Sequence, residues 1–528
     1  MSGKTPKLPK IAESERTPLV TQLIEIVQHQ GEIIQVLRDE IAVLKGNKPK
    51  PKIKPSGMET GDESDEEDKK SPKKRPRNTT QRSKTAKLEI HETKVIAAEH
   101  VPAGSTRKGY RYFTVQGLVI ESHNIEYKLE RWLTPDGDYV EAVLPADVFC
   151  HFSARTISFI LYQYHQCHVT QPLLLEQLHE YGLDISAGQL NRLLVEGHES
   201  FDEEKAELLS TGLEVSPYIQ ADDTGARHQG KTGICTHIGN PWFAWFESTE
   251  SKSRINFLQL LQAGQHDYIL NEEAFDYMEV HKLAQEPLAK LRSGPCVFDD
   301  KGQWEGHLKQ LGIERAQHIR IATEGALIGS LVEHGLNPDL VIISDDAGQF
   351  NILLHGLCWV HAERTIHKLI PCSDAQRDIL AQCRSQIWDF YAELKTYRES
   401  PGEKKKIELN HRFDEIFTQE SDYITLNLAL RRLYKNKREL LLVLDRPEIP
   451  LHNNLSESDI REYAKRRKVS GSTRSDTGRK RRDTFISLKK TCRKLGVSFW
   501  QYLHDRVAKI NAIPRLSKLI RQQVAEAT

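Results

Sequence analysis

Residues 339–350 read DLVIISDDAGQF. Leu340, Val341, Ile342 and Ile343 form an apolar run with no polar alternation, which predicts a strand covered on both faces. Such a strand needs packed layers above and below it, so the chain is expected to be α/β. The run stops at Ser344, Asp345 and Asp346, which leaves acids at the end of the strand.

A second stretch ends the same way. SPYIQADDTGA, from residue 216, reads as a strand that finishes in Asp222 and Asp223. KTGICTHIG and NPWFAWFEST read as two more strands joined at Gly239 and Asn240, and SKSRINFLQLLQAG reads as a helix. Three antiparallel strands and then a helix, with an acid on the first strand, predict the start of an RNase H-like mixed sheet. A third acid lies in PLHNNLSESDIREYAKRRK, residues 450–468, where Glu457 falls in the first turn of a helix.

Three carboxylates brought together would repel one another and raise their own pKa values, and bound cations remove that penalty. Mg2+ prefers carboxylate oxygens. Two such ions about 4 Å apart can activate a water or a 3′-hydroxyl and stabilise the leaving oxygen of a phosphodiester. The candidates for catalysis and for holding two Mg2+ (or Mn2+) ions are therefore Asp222, Asp345 and Glu457. Each acid also has an ordinary structural reading. Asp222 and Asp223 suit a turn before Gly225, Asp345 and Asp346 suit an N-cap region, and Asn454 with Glu457 suits a capping pair. Strand side chains alternate faces, so only one acid of each neighbouring pair is expected in the site.

The rest of the 528 residues divides by composition. Over residues 18–45, Val27, Ile34 and Ile41 occupy one position of a seven-residue repeat, and Leu23, Leu37 and Leu44 the other. This favours a parallel two-stranded coiled coil, with Gln30 as a polar interruption that fixes register, and hence a homodimer. An amphipathic helix packed on its own chain gives the same pattern. Residues 46–88 have almost no apolar content and predict a disordered charged linker. Its basic blocks either touch phosphates or are simply solvated. Residues 89–150 alternate in places, as in YRYFTVQGLVIES, and suggest a small β-rich domain. No stretch reaches the roughly 18 apolar residues that cross a bilayer, and MSGKTPKLPK lacks the apolar core of a secretion signal. Eight cysteines without a CxxC pair do not read as a disulfide framework. A cytoplasmic protein with reduced thiols is expected.

Residues 153–197 read as three helices. Gly182 ends the middle one, and Ser186 with Gln189 forms a capping box for the next. A helix-turn-helix has this layout and would place Gln189, Asn191 and Arg192 near DNA. A plain three-helix bundle has it too. Asp345 and Glu457 are separated by roughly 110 residues, too many for a bare loop. Residues 361–446 are rich in helix formers, so an all-helical insertion is expected. Cys358 and His361 share a helical face and could be half a zinc site, with His367, Cys372 and Cys383 as candidate partners. The alternative is a buried thiol, with His361 near DNA or a catalytic carboxylate. After Glu457 comes a basic run of Arg461, Lys465, Arg466, Arg467, Lys468, Arg474, Arg479, Lys480, Arg481 and Arg482. Its place beside Glu457 points to neutralisation of DNA phosphates, Arg466 and Arg467 among the first to test.

These residues, taken together, resemble the transposases of insertion sequence 66 type. The family has an A-D-E-T-like strand, an A-D-G-Y-A-G-Y-like strand, a G-C-W-A-H-A-R-R segment and a D-N-N-A-A-E-R-A-L-R helix. This chain offers Ala221-Asp222-Asp223-Thr224, then Ser344-Asp345-Asp346-Ala347-Gly348, then Gly356-Leu357-Cys358-Trp359-Val360-His361-Ala362-Glu363-Arg364, then Asn453-Asn454-Leu455-Ser456-Glu457-Ser458. Order and coarse spacing agree over about residues 150–510. The resemblance implies that Asp222, Asp345 and Glu457 are the two aspartates and the glutamate of a DDE enzyme, working in a nucleoid-associated bacterial protein. It also implies that accessory proteins encoded by the element take part. The family's N-terminal CxxC zinc ribbon is absent, Asp223 stands for a glutamate and His452 for an aspartate, so this is a divergent branch.

The expected organisation is a coiled-coil dimerisation helix (1–45), the linker (46–88), the β-rich segment (89–150) and a helical DNA-binding region (151–212). An RNase H-like core follows in two parts (213–364 and 447–528) around the helical insertion (365–446). The expected activity is cleavage of element-end DNA and transfer of the 3′ ends into target DNA. The rivals are an RNase H-like nuclease or resolvase that cuts without joining, and an inactive DNA-binding descendant of a transposase.

Overall fold

The computed structural model describes residues 89–527, apart from residues 99, 146, 147, 149 and 338. The expected coiled coil and linker lie outside the described residues. Residues up to 120 group as one unit and residues 121–528 as another. In the first unit, the described residues carry no helix or strand. The second opens with a hairpin of β1 (Arg131–Leu133) and β2 (Tyr139–Glu141), the only regular structure described in 89–150. The alternation across 110–122 produces no ladder. Side chains such as Tyr112 and Phe113 stay exposed, so they lack the buried face that fixes a strand's register.

Four helices follow: α1 (Ala154–His165), α2 (Gln171–Glu180), α3 (Ala187–Val195) and α4 (Glu199–Val215). Gly182 takes φ +79° after α2, a conformation that glycine adopts freely. The reciprocal bonds between Ser186 and Gln189 open α3, as the spacing predicts. Leu174, Leu178, Leu190 and Leu194 turn inward from α2 and α3.

The central sheet has five strands in the order β5-β4-β3-β8-β9. β3 (Tyr218–His228), β4 (Lys231–Gly239) and β5 (Ala244–Thr249) form an antiparallel meander. Between β5 and the next sheet strand the chain builds α5 (Arg254–Leu261), β6 (Tyr268–Ile269), α6 (Glu272–Val280), α7 (Gln285–Arg292), β7 (Val297–Phe298), α8 (Lys301–Gln310) and α9 (Ala316–Glu333). α5 is the helix read from SKSRINFLQLLQAG; the rest of this layer, with its own β6–β7 ladder, has no counterpart in the sequence-based expectation. α9 is buried along most of its length, and a Cβ on Gly329 would stand 2.2 Å from the Ile269 carbonyl, so only glycine lets α9 approach β6 this closely. β8 (Val341–Ser344) and β9 (Leu354–Leu357) then join parallel to β3. Val341, Ile342 and Ile343 are fully buried, as their apolar run requires.

The expected helical insertion is present. It comprises α10 (Trp359–His367), α11 (Asp374–Glu399), α12 (Glu403–Phe417), α13 (Ile424–Lys435) and α14 (Lys437–Leu440). Trp359 ties it to the sheet: its ring packs against Phe390, Phe413 and Phe417, and its Nε1 donates to the Leu440 carbonyl at 2.9 Å. The chain ends in α15 (Asn454–Ser470), α16 (Asp476–Lys494), α17 (Phe499–Val507) and α18 (Leu516–Ala527). No helix among the described residues is long and apolar enough to cross a membrane.

α16 lies along the edge strand β5 and satisfies its outward amides. Thr491 Oγ1 accepts from Ala244 N at 3.1 Å, Ser487 Oγ from Phe246 N at 2.9 Å, and Asp483 Oδ2 from Ser248 N at 2.8 Å. Two strand residues advance about 6.8 Å and four helix residues about 6.0 Å, so acceptors four apart on α16 meet amides two apart on β5.

Candidate active site

β3 and β8 are parallel, with Tyr218 opposite Val341, Ile219 opposite Ile342 and Gln220 opposite Ile343. Two further steps along both strands set Asp222 beside Asp345. Neighbouring strands are about 4.8 Å apart, so the two residues come level just past the last ladder rung, close enough for the Asp345 charge to act on Asp222. Asp222 Oδ1 accepts the Asp223 amide at 2.7 Å, and Asp345 Oδ1 accepts the Ala347 amide at 3.2 Å. Burial pushes the Asp222 carboxyl up to about 7, the charges of Asp345, Asp223 and Glu457 add to the rise, and the Asp223 amide opposes it.

The third acid arrives on α15, whose first turn is fastened to β3. Asn453 Nδ2 donates to the Ala221 carbonyl at 2.8 Å, Ser456 N donates to Gln220 Oε1 at 3.3 Å, and Gln220 Nε2 donates to the His452 carbonyl at 3.0 Å. The Asn453 amide donates to Cys358 Sγ at 3.2 Å. Asn453 and Asn454 are thus not a side-chain cap for α15. A buried cluster holds the same turn from the other strand: His237 on β4 has Nδ1 2.6 Å from Ser456 Oγ and Nε2 3.2 Å from Asp459 Oδ2. Lys490 and Lys494 each stand 2.9 Å from Asp459. Burial lowers the His237 pKa, with Asp459 opposing.

Glu457 itself sits among two guanidinium groups and an imidazole whose pKa burial lowers. Its Oε1 is 3.5 Å from both His361 Nε2 and Arg364 Nη1, and its Oε2 is 3.3 Å from Arg461 Nη2. Among the described residues no group of three or more His, Cys, Asp or Glu side chains is gathered tightly enough to hold a metal ion as they stand. The donor chemistry still fits a hard divalent cation: three carboxylates, no soft ligand among them, and an Asp222 raised by burial and further by the charges of Asp345, Asp223 and Glu457.

The second acid of each pair points elsewhere. Asp223 faces away from Gln220 and Asp222 and joins three segments: it accepts from Gln349 Nε2 at 2.7 Å and from Lys252 Nζ at 3.1 Å. Asp346 pairs with Arg432 of α13. Arg254 completes a strap around the 345–350 loop, donating to the Gly348 carbonyl at 2.7 Å while Tyr277 takes another of its N–H groups at 3.1 Å. Sequence reasoning missed this strap and the His237 cluster, because their partners sit on separate segments with no shared motif. Only the even spacing of Gln220 and Asp222, which shares a strand face, hinted at part of it.

The basic run divides in two. Lys465, Lys468 and Arg474 are exposed, and no ion pair engages them among the described residues. Arg461 is on Glu457, Arg467 donates to the Gly225 carbonyl, Arg482 donates to Ser470 Oγ, Arg479 pairs with Asp476 and Lys480 with Asp202. Arg466 and Arg481 are buried. Arg466 lies 4.1 Å over the Tyr164 ring, and Arg481 donates to the Val195 carbonyl and pairs with Asp202. The expectation that Arg466 meets phosphate gives way to a packing role against α1, since burial removes it from solvent. In α3, Gln189 is spent on the capping box and Asn191 accepts from Gln171, while Arg192 is exposed beside a cavity of about 960 Å³ between α3 and the 509–515 segment. Cys358 is buried, its thiol pushed up to about 11 by desolvation. His367 is bonded to Arg384, Cys383 is buried beside Gln419, and Cys372 is exposed, so the zinc reading gains no second pair of ligands among the described residues.

Residues 339–481 match the Transposase IS66 family, a span that includes Asp345, Cys358, Arg364 and Glu457 and begins after Asp222. The protein y4jO of Sinorhizobium fredii (strain NBRC 101917 / NGR234), described as uncharacterised, is 44% identical over 303 residues, 57% of this chain and 94% of that protein. A match that spans the segment from the second acid to the basic helices, with a relative of this identity along nearly its whole length, leaves one conclusion: the chain belongs to the IS66 family of transposases.

Proposed function

We propose that the chain cuts DNA at the ends of a mobile element and joins the freed 3′ ends to target DNA, using Asp222, Asp345 and Glu457 on an RNase H-like sheet. The strand order, with an antiparallel meander continued by two parallel strands, supports that fold. The observation that carries the activity is the β3–β8 register, which sets Asp222 beside Asp345 while Asn453 pins the turn bearing Glu457 to the same strand.

Divalent cations of the Mg2+ class, held by the three carboxylates, would activate the attacking water or 3′-hydroxyl and stabilise the leaving oxygen. The chain's own groups prepare that site. Asp222 shares a proton with solvent at neutral pH, so its capacity as a ligand rises with pH. Arg364, partly exposed, and Arg461, more than half exposed, keep Glu457 paired and can turn to phosphate oxygens when DNA enters. Lys465 and Lys468 follow Glu457 along one stripe of α15 and neutralise the backbone beyond it. Arg192 and Asn191 on α3 belong to a helix-turn-helix that reads the element's ends, and residues 18–45 pair two copies.

The test is cleavage of the element's own ends, and strand transfer with pre-cut ends, in Mg2+ or Mn2+ against chelator. Both reactions should need the cation, and Asp222→Asn should abolish them while DNA binding persists. Cleavage without joining would leave the nuclease reading. Full cleavage by Asp222→Asn would remove Asp222 from the site.

A further inference from the structure

From Glu457 to Arg466 the helix α15 advances about 14 Å. Arg466 is only 4% exposed, and neither its Nη1 nor its Nη2 has a hydrogen-bond partner. Arg481, the other buried arginine of the basic run, pairs with Asp202 and donates to the carbonyls of Val195 and His198. Arg466 has no such relief. Among the described residues no carboxylate pairs with it, and its guanidinium lies over the Tyr164 ring. Burial lowers its pKa, Tyr164 opposes, and Arg482 adds to the fall. A guanidinium does not give up its proton inside a protein, so the charge persists and needs a counter-charge.

The groups around it are cations or neutral donors. A cavity of about 20 Å³ lies where α1, α15 and α16 meet, lined by Arg466, Arg482, Lys489, His165 and Tyr164 among others. Lys489 is matched by Glu462 at 2.8 Å, and that carboxylate also lies 3.0 Å from His168 Nε2. Arg482 donates to Ser470 Oγ and has no ion pair among the described residues. His165 stacks on Phe485, and its Nε2 is buried without a partner. Burial holds His165 well below the usual histidine range, and the charges of Arg466, His198, Lys489 and Arg482 push the same way. As a neutral ring it can present an Nε2–H to the cavity.

The space exceeds what one water needs. A water there would satisfy an N–H but leave two guanidinium charges uncompensated. The cavity is too small for an anion with four oxygens, and the buried Arg466 nitrogens lie out of reach of a DNA phosphate.

We propose that this cavity binds one monovalent inorganic anion of the halide class, held by Arg466 and Arg482 with His165 Nε2 as a neutral donor. The anion staples α1 to α15 and α16, and so fixes the far end of the helix whose first turn bears Glu457. The site stands apart from the transposase reading, since neither the three acids nor the exposed cations enter it.

The test uses the full chain at constant ionic strength, with chloride exchanged for gluconate. Wild type should broaden the chloride NMR signal more than Arg466→Met does, and bromide should compete the excess away. Its thermal transition should rise with the logarithm of chloride concentration above the dissociation constant. Arg466→Met should lose both effects and be at least as stable as wild type in gluconate, where wild type buries an uncompensated cation. Arg482→Gln, at a half-buried position, should keep the fold and weaken chloride binding on the order of tenfold. Lys309→Ala, exposed on α8, should match wild type. A crystal grown in bromide should show the ion against Arg466. If wild type and Arg466→Met respond alike to chloride, or bromide is found only at the surface, the cavity holds water and the proposal fails. Should Arg466→Met not fold, Arg482→Gln decides, and an unchanged chloride affinity there overturns the site.

Discussion

At neutral pH the Asp222 carboxyl sits near the midpoint of its titration, held there by burial and by three acidic neighbours. Its folded-state pKa lies above that of an unfolded aspartate, so the penalty for ionising it grows as pH rises from about 4 to about 7. Asp222→Asn removes that penalty. In chelator at pH 7 the variant is expected to be more stable than wild type by about 4 kcal/mol, with most of the gain gone near pH 4, as read by denaturant unfolding. A variant less stable at pH 7 would contradict this. Glu462 shows the opposite sign. The hydrogen bond from His168 holds its carboxyl below the usual range, burial opposes, and Lys489, itself buried, reinforces the shift from 2.8 Å. Glu462→Gln strands the Lys489 charge and should cost about 3 kcal/mol near neutral pH. A depressed pKa contributes in full above the unfolded value of 4.5 and loses that contribution as pH falls from there through the lower folded value, so wild type and variant should converge progressively below pH 4.5. A gap that persists in acid would point to packing instead. At Asp223, Ala should loosen the 345–350 loop and weaken Mn2+ binding at the site, while Asn, which can still accept from Gln349, should recover most of it. Equal affinities in all three proteins, read by titrating Mn2+, would show that the strap does not position Asp345.

Among elements, how much was readable depended on whether a signal was local. The meander, α5 and β8 follow from alternation, turn residues and an apolar run, so their positions were foreseen within a few residues. α3 was foreseen because a capping box lies within four residues of sequence. The β6–β7 layer was not, since its strands are two residues long and their stability comes from α9 packing across them at Gly329. The same distinction runs through the site. Asp345 and Glu457 stand at element ends that the pattern marks, whereas Asp222 lies inside β3, which runs on to His228 past the end that the acids and Gly225 suggested, because its pairing with β4 continues through them. His237 and Gln349 act through partners distant in the chain, and no periodicity carries that information. Arg466 and Arg481 illustrate the converse, because a dense basic stretch cannot say which of its members face inward. The match of α16 to β5 is testable at Ser487. Alanine leaves the Phe246 amide buried without an acceptor and should cost about 1–3 kcal/mol in unfolding free energy. A change below about 0.5 kcal/mol would mean that water or a shifted helix takes over.

For the whole molecule, residues 121–528 act as one unit in which the helical insertion is anchored through Trp359 and the α15–α16 pair through β3 and β5. The segment after β9 thus serves two masters, since Cys358 takes the Asn453 amide while the next residue plugs the insertion. The way α16 caps β5 has a further result. A sheet ending in bare amides can recruit a strand from another molecule and keep growing. Here every outward amide of that margin already has an acceptor from its own chain, so β5 offers nothing for a neighbour to zip onto. Copies of this protein therefore cannot join their sheets through β5, whatever else brings them together.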